Sequence, residues 1–149
     1  MGEAARFICN AEVALRKGDR WLLIRRGARE AHAAGTLALV GGKVEVRDGD
    51  GGPVLESAVR REVAEEIGLH LTGPLHYVTS AHFALPDGGN VVNVVFCADF
   101  PGGEPVPQNP QEVAAVVWLS RRELEDSGAP KWTREYLALA EDVHDRLAH

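Results

Sequence analysis

"GGKVEVRDGDGGPVLESAVRREVAEEIGL", residues 41–69, decides how this chain of 149 residues is read. Its second half packs four carboxylates and two arginines into a helical pattern. Leu55, Val59, Val63 and Ile67 recur at every fourth position, which predicts a helix with one apolar stripe, and Gly68 is placed to cap its C-terminus. Glu62, Glu65 and Glu66 stand at i, i+3 and i+4 and share the adjoining face, within an arc of about 100°. Like charges at this spacing destabilise a bare helix by roughly a few tenths of a kcal/mol each, so something must balance them. Two readings are open: a solvated acidic face paired with Arg60 and Arg61, or a ligand set for a hard divalent cation such as Mg²⁺. The first half is different in kind. "RDGDGGP", residues 47–53, reads as loop.

The flanks read mostly as strands. "RFICNAEVALRK" (6–17) and "RWLLIRR" (20–26) are joined by the turn signal Gly18-Asp19 and predict a hairpin. Residues 27–35 read as a loop, and "TLALVGGKVEV" (36–46) as two short strand pieces around Gly41-Gly42. "LHYVTSAHFAL" (75–85) and "NVVNVVFCADF" (90–100) are strands across the turn "PDGGN". A Pro/Gly loop, "PGGEPVPQNPQ" (101–111), leads to the strand "EVAAVVWLS". Ser120 and Glu123 form a capping box for a short helix, and "KWTREYLALAEDVHDRL" (131–147) is an amphipathic C-terminal helix. Strand–helix alternation is too sparse for a doubly wound parallel sheet, so the expected fold is an α/β sandwich on a mixed sheet.

The bulk numbers narrow the classes of function. Hydrophobic content of 45% and charged content of 26% fit one globular domain, taken as residues 1–149. No apolar run approaches the roughly 18 residues of a membrane span. "MGEAARFICN" has no basic stretch followed by a long apolar run, so no export signal is expected and a cytoplasmic location is. Cys9 and Cys97 are then buried thiols rather than a disulfide. A net charge of −6 argues against a dedicated nucleic-acid binder. It leaves room for a small polyanion, because a metal ion can reverse the local sign.

With Gly41-Gly42 upstream, "REVAEEIGL" (61–69) resembles the second part of the Nudix hydrolase signature, G-x5-E-x7-R-E-U-x-E-E-x-G-U, at every specified position. "GGKVE" (41–45) is similar to its beginning, and the hairpin before and the Trp118 strand and C-terminal helix after fit the same pattern. The resemblance implies a Nudix-type α/β/α sandwich with a mixed β-sheet, a central catalytic helix and a C-terminal helix. The spacing between Gly42 and Arg61 is five residues too long, and the position of the signature's first glutamate falls on Asp48 counted forward or Pro53 counted back. Asp48, Asp50 and Glu56 are the candidate replacements. Leu37 and Val40 stand where the family often has Trp and Pro.

What the resemblance implies is Mg²⁺-dependent hydrolysis of a diphosphate linkage in a nucleoside diphosphate derivative, with Mn²⁺ as an alternative ion. Glu62, Glu65 and Glu66 would bind metal, with the Gly42 carbonyl as a further ligand, and Arg61 would orient or balance them. Glu66, Glu62 or Glu112 would serve as general base, and Glu112 is also a candidate metal ligand; the plain alternative for Glu112 is a loop-surface carboxylate. Lys43, Arg25, Arg26 and Arg29 are candidate phosphate contacts, each weighed against a solvated cation. His32 and His82 lie in segments expected near the pocket rim. Tyr77 and Phe83 are aromatic candidates for base stacking whose default is core packing. The expected substrate is a nucleoside tri- or diphosphate, with nucleotide sugars and dinucleoside polyphosphates open. No stable nucleic-acid or membrane partner is expected, and the oligomeric state is open, a homodimer being one option. The rival readings are a binding or regulatory module disabled by the longer loop, and an isomerase on the same scaffold.

Overall fold

A computed structural model describes residues 2, 4–28 and 34–148. Its strands are β1 (Ile8–Lys17), β2 (Arg20–Arg26), β3 (Leu37–Ala38), β4 (Val40–Lys43), β5 (His76–Ala84), β6 (Asn90–Asp99) and β7 (Val113–Ser120). The helices are α1 (Val54–Ile67), α2 (Arg121–Glu125) and α3 (Lys131–Leu147), with a 3₁₀ turn at Val46–Gly49. The sheet runs β3-β2-β1-β6-β5, with β4 beside the first half of β1 and β7 beside β2. Among the described residues only β1 and β6 pair in parallel and the other pairings are antiparallel, so the sheet is mixed as expected.

Alternation along the central strands sorts side chains onto two faces. Ala11, Val13 and Leu15 of β1 join Val59, Val63 and Ile67 of α1 in one apolar cluster. Ala14 of β1, with Trp21, Leu23, Val95 and Cys97, joins Leu137, Ala140 and Val143 of α3 in the other. The two helices therefore cover opposite faces, which makes the layered sandwich. Gly68 ends α1 in the left-handed region at φ 70°, its N–H returning to the Ala64 carbonyl. Ser120 and Glu123 form the capping box at α2.

Two readings change. Gly41 and Gly42 lie inside β4, paired with Glu12 and Ala11, rather than between two strand pieces. The loop after them is not featureless: Val46–Gly49 winds into the 3₁₀ turn. Among the described residues no helix is long and apolar enough to cross a membrane, and both cysteines are free thiols.

The packing of α3 makes a contrast testable. Leu137 is 1% accessible and Leu139, on the opposite side of the helix, 42%. Leu137→Ala should cost about 2–5 kcal/mol in urea unfolding, and Leu139→Ala about 0.5 kcal/mol or less.

Candidate functional site

The site is built where α1 meets β4, and two glycines decide how closely they meet. A Cβ on Gly42 would lie 2.6 Å from Glu62 Oε1. A Cβ on Gly41 would strike the Ala11 carbonyl at 2.2 Å and the Glu12 side chain at 2.9 Å. Their alternation puts Gly42 on the α1 face and Gly41 on the α3 face. The Gly41 N–H donates to Glu66 Oε1 at 2.9 Å.

Arg61 organises the rest. Its Nε and Nη2 donate to the two oxygens of Asp48 at 2.8 and 3.0 Å. Nη1 donates to Glu62 at 3.0 Å and Glu65 at 3.1 Å. Nη2 also donates to the Lys43 carbonyl at 2.9 Å. Asp48 is held from the other side by the Glu45 N–H at 2.7 Å. Of the three candidates for the displaced glutamate, the structure thus brings Asp48 to the arginine. Asp50 is exposed, and Asp50 and Glu56 form no ion pair among the described residues. Arg47 adds a second cation, pairing with Glu45 at 2.5 Å and Glu65 at 3.3 Å.

The three helix glutamates are therefore not equivalent. Glu65 is exposed and faces the arginines. Glu62 and Glu66 are partly buried and lie close enough for each to affect the other's charge. Burial pushes the Glu66 carboxyl up to about 9, the negative charge of Glu62 adding to the effect. Burial also raises Glu62, although Arg61 opposes it. Hydrogen bonding from Arg61 holds Asp48 below the usual carboxylate range and raises Arg61 in turn.

Among the described residues no three His, Cys, Asp or Glu side chains are already converged as a metal cage. The donor chemistry nevertheless fits a hard divalent ion. All donors are oxygen, and burial beside one another raises the carboxyls of Glu62 and Glu66, a charge crowding that a cation would relieve.

The remaining candidates fall in different places. Glu112 is exposed and forms no ion pair among the described residues; its carbonyl accepts the Gly27 N–H at 2.7 Å. Its loop docks on the end of α1, where Gln108 N–H donates to the Glu66 carbonyl and Val106 N–H to the Ile67 carbonyl, both at 3.0 Å. The Lys43 side chain is exposed. Arg25 donates to the Gly35 carbonyl at 2.8 Å and serves to hold the loop, whereas Arg26 lies close enough to Glu12 to lower its pKa. Arg29 and His32 lie outside the described residues. His82 is exposed and bonded to Asn90 at 2.9 Å. Tyr77 is 57% accessible, against the packing expected of it, because β5 lies at the sheet edge. Phe83 is half-buried.

Glu12 was missed by the sequence reading. Enclosed by protein yet partly open to solvent, it accepts from Asn93 Nδ2 at 2.5 Å, and burial pushes it up to about 7. The available signal was a carboxylate within an otherwise apolar strand run.

These shifts fix a pH profile for the metal-free protein. Glu66 and Glu12 keep protons near neutral pH that an unfolded chain, with carboxyls near about 4.3, has released. Stability should therefore rise as pH falls from about 9 to about 5. Asp48 has the opposite sign: its contribution is present above the unfolded aspartate value near 3.9 and is lost as pH falls below about 4. Thermal melting in chelator across this range checks both limbs. Asp48→Asn should cost about 2 kcal/mol by leaving Arg61 underpaired, and Asp50→Asn about 0.5 kcal/mol or less.

Comparison with known proteins places this geometry in a family. A family model of the NUDIX domain matches residues 10–140. The chain is 36% identical over 106 residues to the NAD-capped RNA hydrolase NudC of Yersinia pestis (strain Pestoides F), a match covering 71% of this chain and 36% of the relative. The chain thus spans about a third of the length of the curated relatives it matches. A crystal structure of a MutT NUDIX hydrolase from Burkholderia pseudomallei superposes with a TM-score of 0.76 at 29% identity, covering 91% of this chain and 98% of that one. A MutT protein from Methanosarcina mazei Go1 shares the fold with a TM-score of 0.74 at 21% identity, covering 96% and 99%. With its sandwich, its glycine pair and its glutamate helix in these positions, the chain belongs to the NUDIX domain family.

Proposed function

We propose that the chain hydrolyses a diphosphate linkage in a nucleoside diphosphate derivative, using a divalent metal ion, with Mg²⁺ the first choice. The observation that carries this reading is the inward pair Glu62 and Glu66 beside a glycine strand, with Glu65 and Arg61 at its rim. Glu62, Glu65, Glu66 and the Gly42 carbonyl would hold the ion. When bound, it neutralises phosphate charge and acidifies a coordinated water.

The chain's own residues supply the rest. Arg61 sets the rotamers of Glu62 and Glu65 and ties both to Asp48 and β4. The Gly41 N–H fixes one oxygen of Glu66. A carboxylate removes the proton of the attacking water; Glu62, Glu66 and Glu112 are the candidates. Lys43, Arg25 and Arg26 are the cations proposed to meet phosphate.

The likeness to an NAD-capped RNA hydrolase favours a second substrate reading, a dinucleotide whose diphosphate joins two nucleosides. A panel of nucleoside triphosphates, nucleotide sugars and dinucleotides, assayed with Mg²⁺, chooses between them. Glu65→Gln and Glu66→Gln should each lower kcat by about a hundredfold or more while the fold is kept. Nucleotide binding without turnover on the whole panel would establish instead a binding module. Mg²⁺ should raise Tm more at pH 8 than at pH 6, because only the ionised glutamates bind it; an equal effect at both would place the ion elsewhere.

A further inference from the structure

Arg47 stands at the rim of the glutamate site without a role in the chemistry proposed above. It lies in the 3₁₀ turn Val46–Gly49, next to Asp48. The two neighbours are turned opposite ways. Asp48 is buried and takes the Arg61 guanidinium on both its oxygens. Arg47 is turned to solvent: its side chain is 61% accessible, against 13% for Arg61. Its Nε donates to Glu45 Oε2, and its Nη2 to Glu65 Oε1 at 3.3 Å.

Glu65 is thereby held at both oxygens, Oε1 by Arg47 and Oε2 by Arg61 at 3.1 Å. The two holds differ in kind. Arg61 is also tied to Asp48, Glu62 and the Lys43 carbonyl, which fixes its guanidinium within the cluster. Arg47 reaches Glu65 by one long bond between two exposed side chains. Such a pair adds little stability and exchanges readily with solvent. The partner that Glu65 can give up to offer an oxygen to a divalent ion is therefore Arg47.

Charge decides where the released guanidinium goes. Among the described residues, the ion pairs that reach Glu45, Asp48, Glu62 and Glu65 come from Arg47 and Arg61. Four carboxylates against two arginines repel a diphosphate, and the donors of Arg61 are spent inside the cluster. A guanidinium presents paired N–H groups that match two phosphate oxygens, and it stays charged at any working pH. The turn that carries Arg47 is itself fixed, because Asp48 accepts from the Glu45 N–H at 2.7 Å and from Arg61. The base of the Arg47 side chain thus stays beside Glu65 while its tip can exchange partners. We propose that Arg47 is a substrate-binding residue, which rests on Glu65 in the free protein and moves to a phosphate oxygen of the bound diphosphate. This rests on the reading of the chain as a diphosphate hydrolase.

Calorimetric binding tests it without turnover, the probes being Mg²⁺ alone and methylenediphosphonate in saturating Mg²⁺. Methylenediphosphonate carries the charge of a diphosphate and is not hydrolysed. Arg47→Gln should weaken methylenediphosphonate about tenfold. Mg²⁺ alone should bind this variant as tightly as the wild type or about threefold more tightly, because a competitor for Glu65 is gone. Arg47→Lys, which keeps the charge and loses the fork, should recover part of the methylenediphosphonate affinity. Both variants should keep the wild-type Tm, since the side chain is exposed. In turnover, Arg47→Gln should raise KM about tenfold and leave kcat within about twofold.

Methylenediphosphonate affinity that Arg47→Gln leaves unchanged would overturn the assignment. So would a loss of Mg²⁺ affinity in step with it, which would make Arg47 a support for Glu65 alone. Wild-type protein that binds neither probe would remove the hydrolase reading, and this role with it; wild-type binding of both that the variant leaves intact would remove the role of Arg47 only.

Discussion

A guanidinium carries five N–H donors in a rigid plane and no acceptor. In Arg61 all five are engaged: two on Asp48, one each on Glu62 and Glu65, and one on the Lys43 carbonyl. That single group joins the strand, the following turn and the glutamate helix. It also offsets the mutual repulsion of the three carboxylates it bonds. Lysine carries the same charge but lacks the planar fork, so it could not hold this set in one geometry.

The glycines make the complementary contribution by having no side chain. Glu62 approaches β4 from the α1 side because Gly42 leaves the space, and Glu12 packs against Gly41 from the other. The β4 backbone is thus the partition between two carboxylate environments, one bridged by arginine and the other open toward α3. Gly41 touches both through its N–H to Glu66 and its register with Glu12.

Much of this was legible in the sequence because periodicity encodes burial. The stripe Leu55, Val59, Val63 and Ile67 gave α1 its orientation, and residues 131–147 gave α3 its bounds. The family resemblance then supplied roles for Glu62, Glu65 and Glu66. What was not legible depends on contacts distant in sequence. Asp48 and Asp50 are chemically alike and two residues apart; only the 3₁₀ turn turns one to Arg61 and leaves the other in solvent. Arg25 and Arg26 looked interchangeable, but a register shift between them in the pairing with β7 separates their environments. Glu12 was passed over because one acid in a strand resembles an outward-facing residue until the helix covering that face is known.

The longer loop has a consequence for how such a site can diverge. Among the described residues, the ties from this segment to Arg61 come from Lys43, Glu45 and Asp48. The residues that follow, Gly49–Gly52, are exposed, and added side chains at Gly51 or Gly52 would meet nothing within 4 Å. The surplus length therefore lies beyond the last anchoring residue. Drift in this segment is uncoupled from the anchored charges, which makes it a natural port for lineage-specific extensions and a place to splice in a reporter.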